Sequence, residues 1–133
     1  MALHNDFGQI GEETACRYLM HRGYRLLSRN WHCGHLEIDI VAEWFGEVVF
    51  VEVKARSTEE YMSALDAVDF EKKQNLVQAA KAYMSYFRLD QPYRFDIITD
   101  VGHAPDYDVK QTINAFTPEG VAEERMRRKL HLE

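Results

Sequence analysis

Two short segments of the chain carry charged residues at spacings that could support metal-dependent chemistry. Glu37 and Asp39 lie two positions apart, and so do Glu52 and Lys54. Side chains two apart on a β-strand point to the same face, so each pair would share a face of a sheet. Two neighbouring carboxylates repel unless a positive group lies between them, and a hard divalent cation takes oxygen ligands. The pattern therefore favours Mg²⁺ or Mn²⁺ held by Asp39 and Glu52.

Lys54 extends this chemistry from metal binding to phosphate. Its ammonium group could hold a phosphate oxygen or orient a water molecule beside the metal. A metal that polarises a phosphate and lowers the pKa of a bound water suits hydrolysis of a phosphodiester bond. The alternative is a solvated strand face with ordinary Glu–Lys pairs. Residues 48–51 are all apolar and predict a buried strand, so acids at its end favour the functional interpretation.

Hydrophobic periodicity and turn signals predict the elements that position these residues. In chain order the predicted elements are a helix at 6–21, strands at 24–31, 36–43 and 47–55, a helix at 66–87, strands at 94–99 and 109–116, and a terminal helix or tail at 118–133. The order α-β-β-β-α-β, followed by an edge strand, predicts an α/β fold with a mixed central sheet flanked by helices.

The turn between the two acidic strands decides whether their charges meet. If residues 45–46 form a two-residue turn, Trp44 pairs with Glu47, and the continued ladder puts Asp39 opposite Glu52. The same register puts Glu37 opposite Lys54. A slip by one residue would place the acids on opposite faces of the sheet. The apolar neighbours are then expected on the other face of the sheet; they are Ile38, Ile40, Val51 and Val53.

Length and composition fit a single domain. The chain has 133 residues, and we assign them all to one domain with a core at about residues 5–117. No apolar run approaches the ~20 residues of a membrane-spanning helix, and the first residues do not resemble a secretory signal. We therefore expect a cytoplasmic protein with no membrane partner, whose Cys16 and Cys33 stay reduced. The net charge of −6 argues against tight non-specific binding to nucleic acid.

A wider pattern resembles a known protein family. Asp39 followed by Glu52-Val53-Lys54 resembles the PD-(D/E)xK nuclease signature. The fuller pattern is similar to the YraN-like family of uncharacterised bacterial proteins, and its parts are Gly11-Glu12-Glu13-x-Ala15, Tyr18-Leu19, Gly23-Tyr24, Asn30-Trp31, Glu37-Ile38-Asp39, Phe50-Val51-Glu52-Val53-Lys54-x-Arg56, Val68 with Lys72, and Arg94-Phe95-Asp96. The resemblance covers about residues 5–98. It implies a restriction-endonuclease-like fold related to archaeal Holliday-junction resolvases.

The resemblance also implies roles for individual residues. Asp39 and Glu52 would be metal ligands, Glu12 of the first helix would complete the metal shell, and Lys54 would be the catalytic lysine. The residues expected to support the site or to contact nucleic acid are Glu37, Lys72, Arg56 and Arg29. A separate metal site at residues 32–35 is a weaker alternative, because the spacing of its His and Cys residues matches no common zinc pattern.

Three functions from different classes fit these residues. The first is a divalent-metal-dependent endonuclease that hydrolyses phosphodiester bonds in structured or branched DNA. The second is a nucleic-acid-binding accessory protein with little or no catalytic activity, and the third is a protein-interaction module. An acidic monomer neutralises few phosphates, so we also hypothesise a homodimer whose two chains form one basic groove, against a monomer recruited by a partner. The residues assigned to that groove are Arg22, Arg25, Arg29 and Lys72.

Overall fold

A five-stranded mixed sheet forms the centre of the fold. The computed structural model describes residues 3–56, 66, 68–103 and 106–131. Its elements are α1 (Leu3–His21), β1 (Arg25–Cys33), β2 (Leu36–Trp44), β3 (Glu47–Arg56), α2 (Phe70–Tyr86), β4 (Tyr93–His103), β5 (Asp106–Phe116) and α3 (Pro118–His131). The strand order is β1-β2-β3-β4-β5, with β3 and β4 parallel and all other neighbours antiparallel. This confirms the predicted α/β class, and the architecture is consistent with a restriction-endonuclease-like fold.

The sheet is covered by helices on both faces. Along β3, alternate residues enter opposite clusters: Val49 and Val51 join the buried residues of α1, whereas Val48 and Phe50 join those of α2. Burying each such side chain contributes roughly 1.5–3 kcal/mol, which is why β3 carries an almost unbroken apolar run. Helix α3 packs beside α2 and inserts Val121 into the α2-side cluster. No helix among the described residues is long and apolar enough to span a bilayer.

The β2–β3 hairpin has the predicted turn and register. Phe45 and Gly46 have φ angles of 50° and 81°, the left-handed conformation that a type I′ hairpin turn requires at both central positions. Trp44 is therefore the Cα partner of Glu47, and the ladder continues from there to the pair Ile40 and Val51. The turn sets the register that the acidic residues depend on.

Some predicted boundaries differ from the structure. Helix α1 begins at Leu3 rather than at residue 6. Helix α2 begins at Phe70 rather than at residue 66, because the Asp69 carboxylate accepts the backbone N–H of Lys72 at 2.8 Å and caps the helix there. The terminal segment is a helix, α3, and not a tail. Both cysteines are free.

Candidate active site

The acidic residues meet where the β2–β3 ladder ends. The last paired residues are Ile40 and Val51. Beyond them, the backbone N–H of Val53 donates a hydrogen bond to Oδ2 of Asp39 at 2.8 Å. The carboxylate thus supplies an acceptor for an amide of β3 that has passed the end of the backbone ladder. Asp39 and Glu52 are not Cα partners as the register had predicted, yet they lie side by side at this end of the sheet.

Glu52 is the most unusual carboxylate of this group. Only 4% of it is exposed. Its Oε2 atom lies 3.5 Å from Nζ of Lys54 and 3.8 Å from Nζ of Lys72, whereas its Oε1 atom is buried with no hydrogen-bond partner among the described residues. Burial and the nearby charge of Asp39 raise the pKa of Glu52 to about 8. A buried oxygen without a partner is costly, so a cation is a fitting occupant for the space beside it.

Asp39 and Glu52 influence each other's pKa. Burial raises the pKa of Asp39, while the Val53 amide and the positive charge of Lys72 act in the opposite direction. A hydrogen bond between the two carboxyl groups lowers the pKa of Asp39 and raises that of Glu52, as expected when Glu52 carries the shared proton. The two carboxyl groups therefore form one interacting pair.

Glu12 approaches this pair from α1. Burial is the main reason that its pKa is raised, followed by the charge of Asp39, and Glu37 raises it further. A hydrogen bond with Asn30 and the charge of Arg29 counteract these effects. No three His, Cys, Asp or Glu side chains lie close enough to form a ready-made metal site in the part of the chain that the structure describes. Glu12 therefore flanks the pair rather than completing a three-ligand cluster.

The strict alternation expected along β2 is interrupted at Asp39. Ile40 lies in the α1-side cluster together with Val51, and Val53 packs against that cluster, as predicted. Ile38 lies in the α2-side cluster instead, so its predicted face is wrong. The interruption coincides with a distortion of the adjacent strand β1, where Asn30 has a φ angle of 51° between two residues paired with β2. Such a distortion of a strand re-aims neighbouring side chains.

The cations predicted to contact nucleic acid are divided between the site and other surfaces. Lys72 of α2 reaches Glu52 beside Lys54. Arg29 pairs with the exposed Glu13 at 3.3 Å, next to Glu12. Three other cations have local partners: Arg56 donates to the carbonyl of Ala55, Arg25 pairs with Glu43 near the hairpin end of β2, and Arg22 lies over Tyr18. The groove that two chains were expected to form from such cations stays a prediction.

Two motif residues of β4 have a structural role. The Arg94 guanidinium donates to both carboxylate oxygens of Asp96, at 2.9 and 3.1 Å, and also to Glu47 and Tyr24. Asp96 in turn accepts the backbone N–H of Asn114 at 2.9 Å. This network closes an irregularity in the β4–β5 pairing rather than extending the acidic site.

Sequence reasoning did not identify Asp100, which lies within β4 beyond the predicted end of that strand. It is completely buried, and both of its carboxylate oxygens lack a hydrogen-bond partner among the described residues. Burial raises its pKa to about 7. A Cβ atom added to Gly11 of α1 would lie 3.3 Å from Oδ2 of Asp100. This carboxyl therefore lies under α1, beside the residue that precedes Glu12 in the chain. In the sequence it is simply a polar residue after an apolar strand, a common way for a strand to end.

Comparison with known proteins identifies the family. Residues 11–99 match the model described as "Uncharacterised protein family UPF0102". A UPF0102 protein of Phocaeicola vulgatus is 43% identical over 118 residues, covering 89% of this chain and 98% of that protein. One of Bacteroides thetaiotaomicron is 45% identical over 118 residues with the same coverage, and one of Oleidesulfovibrio alaskensis is 40% identical over 121 residues, covering 89% and 59%. These matches confirm the resemblance inferred from the motifs. The chain belongs to the uncharacterised protein family UPF0102.

Proposed function

We propose that this protein is a divalent-metal-dependent endonuclease that hydrolyses phosphodiester bonds in structured or branched DNA. One observation carries the proposal: the buried Glu52, with one oxygen that has no hydrogen-bond partner in the described part of the chain, lies beside a second carboxylate and two lysines. A purely structural Glu–Lys pair has no need of a neighbouring acid that disfavours its charge. A site that must hold a cation and a phosphate together needs all of these groups.

The donor set fits a hard divalent cation. Asp39 and Glu52 would hold Mg²⁺ or Mn²⁺, and Glu12 is the carboxylate of α1 that senses the charge of Asp39. Mg²⁺ commonly uses one or two carboxylates and completes its shell with waters and substrate oxygens, so two close carboxylates suffice. When bound, the cation would polarise the phosphate and lower the pKa of a coordinated water. The Val53 amide holds Asp39 in a fixed orientation for this task.

The two lysines have complementary roles in this proposal. Lys54 and Lys72 reach Glu52 from β3 and from α2, and their side chains are 28% and 34% exposed. Both ammonium groups therefore have access to solvent, where a phosphate would enter. Lys54 would stabilise negative charge at the cleaved phosphate or orient the attacking water, and Lys72 would hold a phosphate oxygen from the opposite side. Branched DNA is proposed as the substrate class because the motif resemblance implies a relation to Holliday-junction resolvases.

A second candidate function is a nucleic-acid-binding accessory protein with the same fold and little catalysis. The observation that favours it is that Lys54 and Lys72, 3.5 and 3.8 Å from Oε2 of Glu52, can balance the charge of this carboxylate without a metal ion. This candidate predicts DNA binding without turnover. The two functions can therefore be separated by assays of cleavage and binding on the same substrates.

The decisive experiment is a cleavage assay on duplex, flap, single-stranded and four-way-junction DNA with Mg²⁺, Mn²⁺ or EDTA. We expect cleavage that needs the cation and falls about 100-fold or more in Glu52→Gln, as when a transition-state-stabilising group is removed. Asp90→Asn, a matched change at an exposed carboxylate, should cleave like wild type. Binding without cleavage would favour the accessory protein. Cation binding in titration calorimetry that is unchanged in Asp39→Asn would overturn the assignment of the ligands.

A further inference from the structure

Helix α3 carries the densest group of positive charges in this acidic chain. Its segment 125–131 contains four cations, Arg125, Arg127, Arg128 and Lys129, and no acidic residue. All four side chains are exposed. The chain as a whole has a net charge of −6, so this segment locally reverses the sign of the surface. The helix begins beyond residues 11–99, the span that matches the family model.

The position of α3 connects this charge to the candidate active site. The guanidinium of Arg128 lies 4.4 Å from the ring centroid of Phe70, the first residue of α2. Two residues further along α2, Lys72 lies 3.8 Å from Glu52. The next residue, Lys73, is half-buried with its ammonium group 5.9 Å from the Phe116 ring, just before α3. Arg128, Lys73 and Lys72 therefore form a strip of cations that leads from α3 to Glu52.

Helical geometry places the free cations of α3 beside Arg128. Residues three and four apart are neighbours on a helix surface, so Arg125 lies next to Arg128 on one side and next to Lys129 on the other. Arg128 itself is engaged, since it also pairs with Glu124 at 2.9 Å. Arg125 and Lys129 have no such carboxylate contact among the described residues. Their charges are available to a partner that runs along the strip.

The geometry points to α3 as a docking surface for the DNA backbone that flanks the cleaved phosphate. The inference rests on the proposed function, because it takes the phosphate at Lys54 and Lys72 as the point where the strip ends. A repeating row of phosphates matches a row of exposed cations in charge, and such contacts position a duplex without reading its sequence. A competing explanation is that cations near the end of α3 merely compensate the helix dipole.

The test measures how DNA affinity depends on salt, in EDTA and in Ca²⁺, using a labelled duplex and a labelled four-way junction. In the double variant Arg125→Gln/Lys129→Gln, the slope of log K against log salt should decrease by about 0.9 per lost phosphate contact, hence by about 2. The matched control, Arg17→Gln/Arg88→Asn, removes the same charge from exposed positions away from the strip. Its slope should equal that of wild type, and both variants should keep the wild-type Tm.

The remaining outcomes distinguish a failure of this inference from a failure of the proposed function. Equal slopes for wild type and the α3 variant would overturn the docking surface, while the cleavage assay would still decide the nuclease. Equal losses in the α3 variant and the control would show only a net-charge effect and would also overturn it. Absence of DNA binding by wild type would have the same consequence. Poly-glutamate that competes through the same two residues as well as DNA does would indicate an acidic protein partner instead.

Discussion

Replacing Glu52 with glutamine should make the metal-free protein more stable at alkaline pH. The folded-state pKa of Glu52 is about 8, against an ordinary value of 4.5. Between these pH values the folded protein binds a proton that the unfolded chain has lost, so the unfolding free energy of wild type falls as pH rises. The shift of about 3.5 pH units corresponds to about 5 kcal/mol at ~1.4 kcal/mol per unit. This value is a ceiling, because the buried amide of the variant has hydrogen-bonding needs of its own.

Urea unfolding at acid, neutral and alkaline pH checks this prediction. In EDTA, wild type should lose stability across this range, whereas Glu52→Gln should have a flatter profile and be the more stable protein at the alkaline end. Adding Mn²⁺ should stabilise wild type, by about 2.7 kcal/mol at 100 times its Kd, and should have little effect on the variant. Asp90→Asn is the exposed control and should follow wild type. An equally steep pH profile in Glu52→Gln would refute the electrostatic reasoning, and an equal response to Mn²⁺ would refute the metal assignment.

Two further predictions concern the region under α1. Asp100→Asn should have the unfolding free energy of wild type at pH 4 and exceed it at pH 8 by up to about 4 kcal/mol, because burial raises the pKa of this carboxyl to about 7. Urea unfolding at both pH values measures this. The same difference between variant and wild type at both pH values would contradict it. Gly11→Ala should lose about 1–3 kcal/mol, since its Cβ would lie 2.8 Å from Cβ of Ala55. The loss should be smaller in an Ala55→Gly background, and an equal loss there would show that this contact is not the cause.

The sequence was most informative where a local rule fixes the geometry. A two-residue turn between twisted strands favours the primed turn types, Phe45-Gly46 forms one with a positive φ at both positions, and that turn sets the register of β2 and β3. The face shared by Glu52 and Lys54 follows from alternation along a regular strand. Family motifs then singled out these residues among many surface charges. Local rules and motifs together were sufficient to predict the mixed sheet and the residues at its end.

Long-range packing explains what the sequence did not reveal. Ile38 changes face at the level of Asn30, which has a positive φ in the adjacent strand β1, and no pattern within β2 signals this. Arg25 looked like a member of a basic cluster, but strand pairing brings it to Glu43, 18 positions away. Asp100 became unusual only when α1 covered it. Each of these features depends on a neighbour that is distant in sequence.

The two central carboxylates differ in how far the fold alone explains them. Asp39 accepts the Val53 amide at the point where the β2–β3 ladder ends, so an acceptor is needed there whether or not the protein binds metal. Glu52 has no comparable contact for its buried Oε1 atom among the described residues, and its neighbour Asp39 disfavours its charge. A protein can replace such a group with a neutral side chain of similar size and become more stable. Glu52, more than Asp39, is therefore the residue on which the functional argument depends.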